Sequence, residues 1–241
     1  MAQIQDVFRR YEKKYLLDEG QYQALRLQLQ GRMEPDAFGP STVCNLYFDT
    51  PDYRLIRSSI DKPVYKEKLR LRSYGVPVEQ STVFVELKKK YRGVVYKRRV
   101  PMTLAEARAY LLEGRAPGEG GQIRQEIDWF LRFYQPVPKV CLAYDRVALV
   151  GSDDPALRVT FDTNLRWREQ DLELAGGDRG APLLPPGQSL MEVKIPGAMP
   201  LWMSRLLDRL RVYPTSYSKY GAYYRQCVLA PRLGKGDDIC A

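Results

Sequence analysis

The sequence predicts an α+β protein: an antiparallel eight-stranded β tunnel or barrel with a basic lumen and helices packed outside. Three observations lead there. About eight segments alternate apolar and polar residues at the period of a strand. The polar faces of those segments are mostly cationic. Helical patterns with N-cap residues stand between some of them.

Taken in order, residues 8–16 form the first strand, with Arg10, Glu12 and Lys14 on one side and Tyr11, Lys13 and Tyr15 on the other. Asp18 caps a helix over 18–30. Strands follow at 42–48 (TVCNLYF), 64–74 (VYKEKLRLRSY), 81–91 (STVFVELKKKY) and 94–100. Thr103 starts a helix over 103–113, and a second covers 121–134. Strands at 139–149, 157–163 and 189–195 and helices at 198–211 and 217–229 complete the pattern. Glycine and proline mark 114–121 and 175–188 as loops or mobile segments. Residues 1–230 read as a single domain, with 231–241 a disordered tail.

The strand faces carry the functional signal. In 64–74, Lys66, Lys68, Arg70 and Arg72 share one face, and Leu69 and Leu71 the other. In 81–91, Glu86 and Lys88 oppose Val83, Val85 and Leu87. Lys97, Arg146, Arg158, Glu192 and Lys194 extend the charged faces over further strands. A solvated sheet face explains any one of them. It does not explain their shared sign, since two like charges about 4 Å apart repel by roughly 4 kcal/mol at an effective dielectric near 20. Facing inward, they would line a wet bore that expects an anion, with Arg10, Glu12 and Lys14 among the lumen residues.

Composition narrows the chemistry. The formal charge is +9, so partners should be anionic, and the chain contains no histidine. That removes serine–histidine and cysteine–histidine nucleophiles and histidine metal sites. Cys44, Cys141, Cys227 and Cys240 form no CxxC pair, so they read as thiols of a reducing compartment rather than zinc ligands. No apolar run is long enough for a membrane helix and no secretory signal is evident, so a soluble, cytoplasmic protein is expected. There is no GxxxxGK[ST], so phosphates are not held by a P-loop.

The blocks RYEKKYLL, NLYFDTPD, KLRLRSYG, VFVELKKK, YDRVAL, LRVTFDTNL, LMEVKI and SYSKYGA, in this order, resemble the triphosphate tunnel metalloenzyme (CYTH-like) superfamily. Within it they are most similar to the VTC (vacuolar transporter chaperone) polyphosphate polymerase domain. The resemblance implies that Lys14, Arg70, Arg72, Lys88, Lys97, Arg146, Arg158 and Lys219 contact phosphates and are catalytic, and that Glu192 binds Mn²⁺ or Mg²⁺. Arg10, Lys68 and Lys194 join as substrate-binding cations. Glu12 and Glu86 either bind a second metal or orient neighbouring cations, the latter favoured for Glu86. Hydrolytic members of the superfamily begin Glu-x-Glu-x-Lys, whereas here Arg10 precedes Glu12 and Lys14. The chain also lacks a phosphate-sensing SPX module and membrane segments, as a stand-alone bacterial-type version would.

The expected reaction is transfer of the ATP γ-phosphoryl group to phosphate or a growing polyphosphate, releasing ADP. The alternatives are a metal-dependent tripolyphosphatase or nucleoside triphosphatase, or a non-catalytic module that binds polyphosphate or nucleic acid. Expected partners are ATP, phosphate and polyphosphate, with no nucleic acid: glutamates interleave with the cations, and no RNP-type or zinc motif is present.

Overall fold

The computed structural model describes residues 11–92, 94–118, 120–195 and 197–233. In chain order they form β1 (Tyr11–Leu17), α1 (Glu19–Gln28), β2 (Met33–Pro35), β3 (Ser41–Asp49), α2 (Arg54–Ile60), β4 (Tyr65–Tyr74), β5 (Thr82–Tyr91), β6 (Val94–Thr103), α3 (Leu104–Glu113), α4 (Gln122–Tyr134), β7 (Val137–Gly151), β8 (Arg158–Arg168), β9 (Ala181–Pro182), β10 (Ser189–Ile195), α5 (Leu201–Arg209), α6 (Lys219–Tyr223) and α7 (Ala230–Leu233). The expected α+β class with an antiparallel sheet holds. Arg10 lies outside the described residues, as do the first residues of the expected opening strand, Cys240 and the tail beyond Leu233. No helix among the described residues is long and apolar enough to cross a membrane.

The chain divides into two compact units. The first takes the residues up to Ser41, Asp145–Leu165 and Leu184–Tyr217. Its strands run β1-β10-β8-β7, with β2 added to β7. Alternation turns Tyr15, Leu17, Val159, Phe161, Met191 and Val193 to one face, where they pack on Leu25 of α1, on Leu29 just past its end and on Met203 and Leu206 of α5. Fully burying side chains of this kind contributes about 1.5–3 kcal/mol each. The opposite face is left to charge. α1 begins at Asp18, whose carboxylate accepts the Gln21 N–H at 2.7 Å while the Gln21 side chain accepts the Asp18 N–H. This reciprocal cap satisfies two donors that the first helical turn leaves over.

The second unit takes Thr42–Tyr144, Arg166–Leu183 and the residues from Ser218 on. Its strand order is β7-β3-β4-β5-β6. Leu69, Leu71, Val83, Val85 and Leu87 form a buried face against Ala107 and Leu111 of α3 and Ile127 and Phe130 of α4. α3 starts at Thr103, capped reciprocally with Glu106, and stops at Gly114, whose φ of 68° is the left-handed conformation that a side chain disfavours. Cys44 and Cys141 lie in this core as unbonded thiols, and Cys227 is also unbonded.

Two features of this unit depart from the sequence reading. α2 went unpredicted: it is seven residues long, and its N-cap Tyr53 makes no side-chain capping bond. The cap comes instead from Asp49, which accepts the N–H groups of Leu55 and Ile56 at 2.9 and 3.0 Å. The second concerns 175–188, expected as a loop or mobile segment. Its part in this unit is a pinned loop ending in β9. Arg168 donates to the carbonyls of Asp171, Glu173 and Gly177, and Arg166 to Asp178. Gly180 passes so close to Trp167 that a Cβ would stand 2.5 Å from its carbonyl oxygen.

Candidate active site

Each unit carries a cluster of the residues singled out above, on the strand face opposite its core.

In the second unit, β4 and β5 are in a register that sets Arg70 opposite Glu86 and Lys68 opposite Lys88; β5 and β6 then set Lys88 opposite Lys97. Directly opposed residues on one sheet face have Cβ atoms about 4.5–5.5 Å apart. Lys68, Lys88 and Lys97 therefore make a row of three ammonium groups across three strands. Beside it, Arg70 donates to Glu86 through Nε at 2.8 Å, with Nη2 2.7 Å from the same oxygen, and Nη1 donates to the Tyr47 hydroxyl at 3.1 Å. Lys97 Nζ stands 2.7 Å from the other Glu86 oxygen. Arg72 Nε lies 3.9 Å from Glu86 and donates to the Asn45 side chain, while Nη2 donates to the Tyr144 hydroxyl.

Glu86 is 1% exposed. Burial alone would raise its pKa, but Arg70, Arg72 and Lys97 together hold it down at about 2. Its carboxylate stands within ion-pair distance of Arg70, Arg72 and Lys97. Lys97 is pushed down to about 8, burial and the nearby arginines outweighing Glu86. Burial would also raise the Tyr47 hydroxyl, yet the positive field of Arg70 and Arg72 lowers it.

The chain end joins this cluster through α6. Lys219 Nζ sits 4.4 Å from the centre of the Tyr144 ring, and Lys68 Nζ donates to Ser218 Oγ at 3.2 Å. The anchor is the next residue: the buried Tyr220 hydroxyl donates to Asp49 at 2.9 Å, and its ring stacks on Tyr47 at 4.8 Å. Asp49, fully buried, thus fixes the start of α2 and holds Tyr220 beside Lys219.

In the first unit, Lys14 on β1 faces Glu192 on β10, and Glu12 faces Lys194. Lys14 Nζ lies 3.4 Å from both Glu12 and Glu192 and donates to the Tyr217 carbonyl. Arg146 makes a two-pronged contact with Asp162 at 2.6 and 2.7 Å and lies 3.9 Å from Glu192. Lys194 faces Arg158 across β8, and burial lowers its pKa against the pull of Glu192 and Glu12. Arg158 turns to Asp36 at 2.9 Å.

Among the described residues no three metal-binding side chains are arranged around one point. Glu12 and Glu192, flanking one ammonium, are nevertheless suited to a hard cation. Mg²⁺ keeps most of its water and takes one or two protein carboxylates beside substrate phosphates, so the pair fits a cation that arrives with a phosphate ligand. Glu86, saturated by cations, does not fit that use.

Of the residues predicted from sequence, Lys68, Arg70, Arg72, Glu86, Lys88, Lys97 and Lys219 lie in the second unit's cluster, and Glu12, Lys14, Arg146, Arg158, Glu192 and Lys194 in the first's. Asn45, Asp49, Tyr47, Tyr144, Asp162 and Tyr220 were missed. Asp162 and Tyr144 carried a signal, sharing strand faces with Arg158 and Arg146.

No curated protein matches the chain in sequence. Among solved structures, one described as a candidate adenylate cyclase from Bacillus halodurans is similar at 15% identity and a TM-score of 0.55, over 86% of this chain and 92% of that one. A Hippeastrum protein described as a candidate adenylyl cyclase with a dominant triphosphatase activity aligns at 16% identity and a TM-score of 0.47, over 89% of this chain and 94% of that one. The first likeness shows a shared fold. The VTC domain family matches residues 9–228, nearly the whole chain, and the chain belongs to that family.

Proposed function

We propose that residues 1–230 act as one functional domain that transfers the γ-phosphoryl group of ATP to phosphate or to the end of a polyphosphate chain, releasing ADP. The observation that carries this reading is the lysine row of Lys68, Lys88 and Lys97 beside Arg70 and Arg72, with Arg70, Arg72 and Lys97 gathered on the buried carboxylate of Glu86. Like charges set directly opposite one another destabilise a sheet unless an anion lies over them. Arg70 and Arg72 offer planar forks to phosphate oxygens, already oriented by Glu86, Tyr47, Asn45 and Tyr144. Lys219, anchored through Tyr220, adds a further charge.

Glu86 is engaged by Arg70 and Lys97 and is not placed as a base toward water. An acceptor that arrives as a phosphate oxyanion needs no base. Its approach to the γ-phosphorus depends on positioning and charge neutralisation, which supports a polyphosphate acceptor over water. Glu192, with Glu12, would hold Mg²⁺ or Mn²⁺, which when bound draws charge from phosphate oxygens. Arg146 and Lys14 keep Glu192 in place. ATP as donor supports a cytoplasmic setting.

Incubation with ATP and Mn²⁺, followed by gels stained for polyphosphate and an assay for free phosphate, tests the reading. It predicts a ladder of chains with matching ADP. Free phosphate equal to ADP and no polymer, even with a tripolyphosphate primer supplied, assigns a triphosphatase instead.

A further inference from the structure

The end of the β5–β6 hairpin carries a surface that phosphate binding does not use. From residue 88 to residue 99 the sequence is KKKYRGVVYKRR, with no Asp or Glu and, besides Lys88 and Lys97 of the phosphate row, five more Lys or Arg. The register sets Tyr65, Tyr91 and Val94 side by side across β4, β5 and β6, and Tyr96 opposite Lys89. By alternation these residues share the face of Leu69 and Leu87, which α3 and α4 cover further along the strands. At the hairpin end the face is open: Tyr65 and Tyr91 are 44% exposed, Tyr96 38% and Val94 37%. α4 continues the patch. Its inner face buries Ile127 and Phe130, while Trp129 and Phe133 stack on each other at 4.8 Å and stand about half exposed.

Cations rim this apolar surface. Lys89 and Trp129 line one groove with Glu126, which Lys89 and Arg98 neutralise at 2.8 and 3.5 Å, and the buried Glu67 accepts from the Tyr65 hydroxyl at 2.9 Å. Arg92 lies 5.3 Å from the centre of the Tyr91 ring. Val95, on the opposite face between Lys90 and Lys97, is 46% exposed.

We propose that the β5–β6 hairpin and the outer face of α4 form a docking surface for an anionic lipid bilayer. A dissolved polyanion is recognised by cations and gains nothing from exposed Val94 and Val95. A second copy, pairing along the edge strand β6, would bring Lys97, Arg98 and Arg99 against their own kind. An anionic bilayer satisfies both halves of the surface. Tyrosine, tryptophan and valine enter the headgroup boundary, while Lys and Arg meet lipid phosphates and carboxylates.

The test is co-sedimentation of the full chain with vesicles of phosphatidylcholine, with and without phosphatidylserine, alongside tryptophan emission. The protein should partition onto phosphatidylserine vesicles, less so as salt rises, with a blue shift of emission. Val94→Asp, or Phe133→Ser on the other element, should weaken partition by about tenfold or more. Melting temperature and tripolyphosphate affinity should not change, and Val78→Asp, at an exposed site off this patch, should leave partition intact. If one variant misfolds, the other decides. No partition, or equal partition on neutral vesicles or by the variants, overturns the proposal. So does a Val94→Asp variant that loses binding to polyphosphate or an oligonucleotide, or that dissolves a dimer, since either result gives the patch another occupant.

Discussion

The two charged clusters sit on the same kind of strand face and differ in balance. In the second unit three cations, Arg70, Arg72 and Lys97, surround the single carboxylate of Glu86, and the Lys68–Lys88–Lys97 row adds more positive charge. In the first, Lys14, Arg146 and Lys194 sit among three carboxylates, Glu12, Asp162 and Glu192, and Arg158 pairs with Asp36. One cluster is strongly cationic and the other is close to balanced. The local balance of sign, more than the count of charged residues, separates the two clusters.

The largest way to break this comparison acts on turnover. Glu192→Gln keeps the side chain's shape but removes the charge a hard cation requires, so activity should fall by orders of magnitude while tripolyphosphate still binds. Unchanged steady-state rates in this variant would remove Glu192 from the metal assignment.

The next effect is on stability. Glu86→Gln leaves Arg70, Arg72 and Lys97 without their counter-charge, and breaking a buried pair in this way costs about 3–5 kcal/mol. Denaturant titration should show the loss. Tripolyphosphate should restore more stability to this variant than it adds to the parent, because it replaces the missing negative charge; equal increments would contradict the arrangement. In the intact protein the same group makes stability acid-sensitive. Because folding depresses the Glu86 pKa, its contribution is complete above about 4.5 and is lost as pH falls toward about 2.

Tyr220→Phe removes one hydrogen bond to buried Asp49 and should cost about 1–3 kcal/mol. If Asp49 and Tyr220 position Lys219, phosphate affinity should fall as well. Loss of stability with intact affinity would make the pair structural only.

These residues mark the limit of what the sequence makes legible. Strand alternation was readable because apolar and charged residues interchange at every step, so the cationic face of β4 and the core role of Leu69 and Leu71 follow from eleven consecutive letters. The caps of α1 and α3 were readable because both partners lie within one turn. Asp49 with Tyr220 and Arg146 with Asp162 were not, since their partners come from distant elements that only pairing and packing bring together. The same holds for α2, whose cap arrives from the preceding strand. The different balance of the two clusters depends on register, which alternation alone leaves undetermined.

The smallest predicted effect is a pH dependence of binding. Lys97, with its pKa lowered to about 8, loses its charge above that value, so tripolyphosphate affinity should decline there in the parent and decline less in Lys97→Ala. In the ligand-free protein the sign reverses. The unfolded chain keeps its proton to higher pH, so stability rises as pH passes upward through about 8.

The proposed division of labour between the clusters is tested most directly by calorimetric titration of tripolyphosphate, in EDTA and in Mn²⁺, into the parent, Lys88→Ala and Glu192→Gln. The parent should bind in EDTA and bind more tightly with Mn²⁺. Lys88→Ala should lose about tenfold or more in both media, as removal of a charged phosphate contact does. Glu192→Gln should match the parent in EDTA and lose only the gain from Mn²⁺. Equal weakening of both variants in EDTA would contradict the account, because Glu192 would then be needed to hold phosphate without a metal.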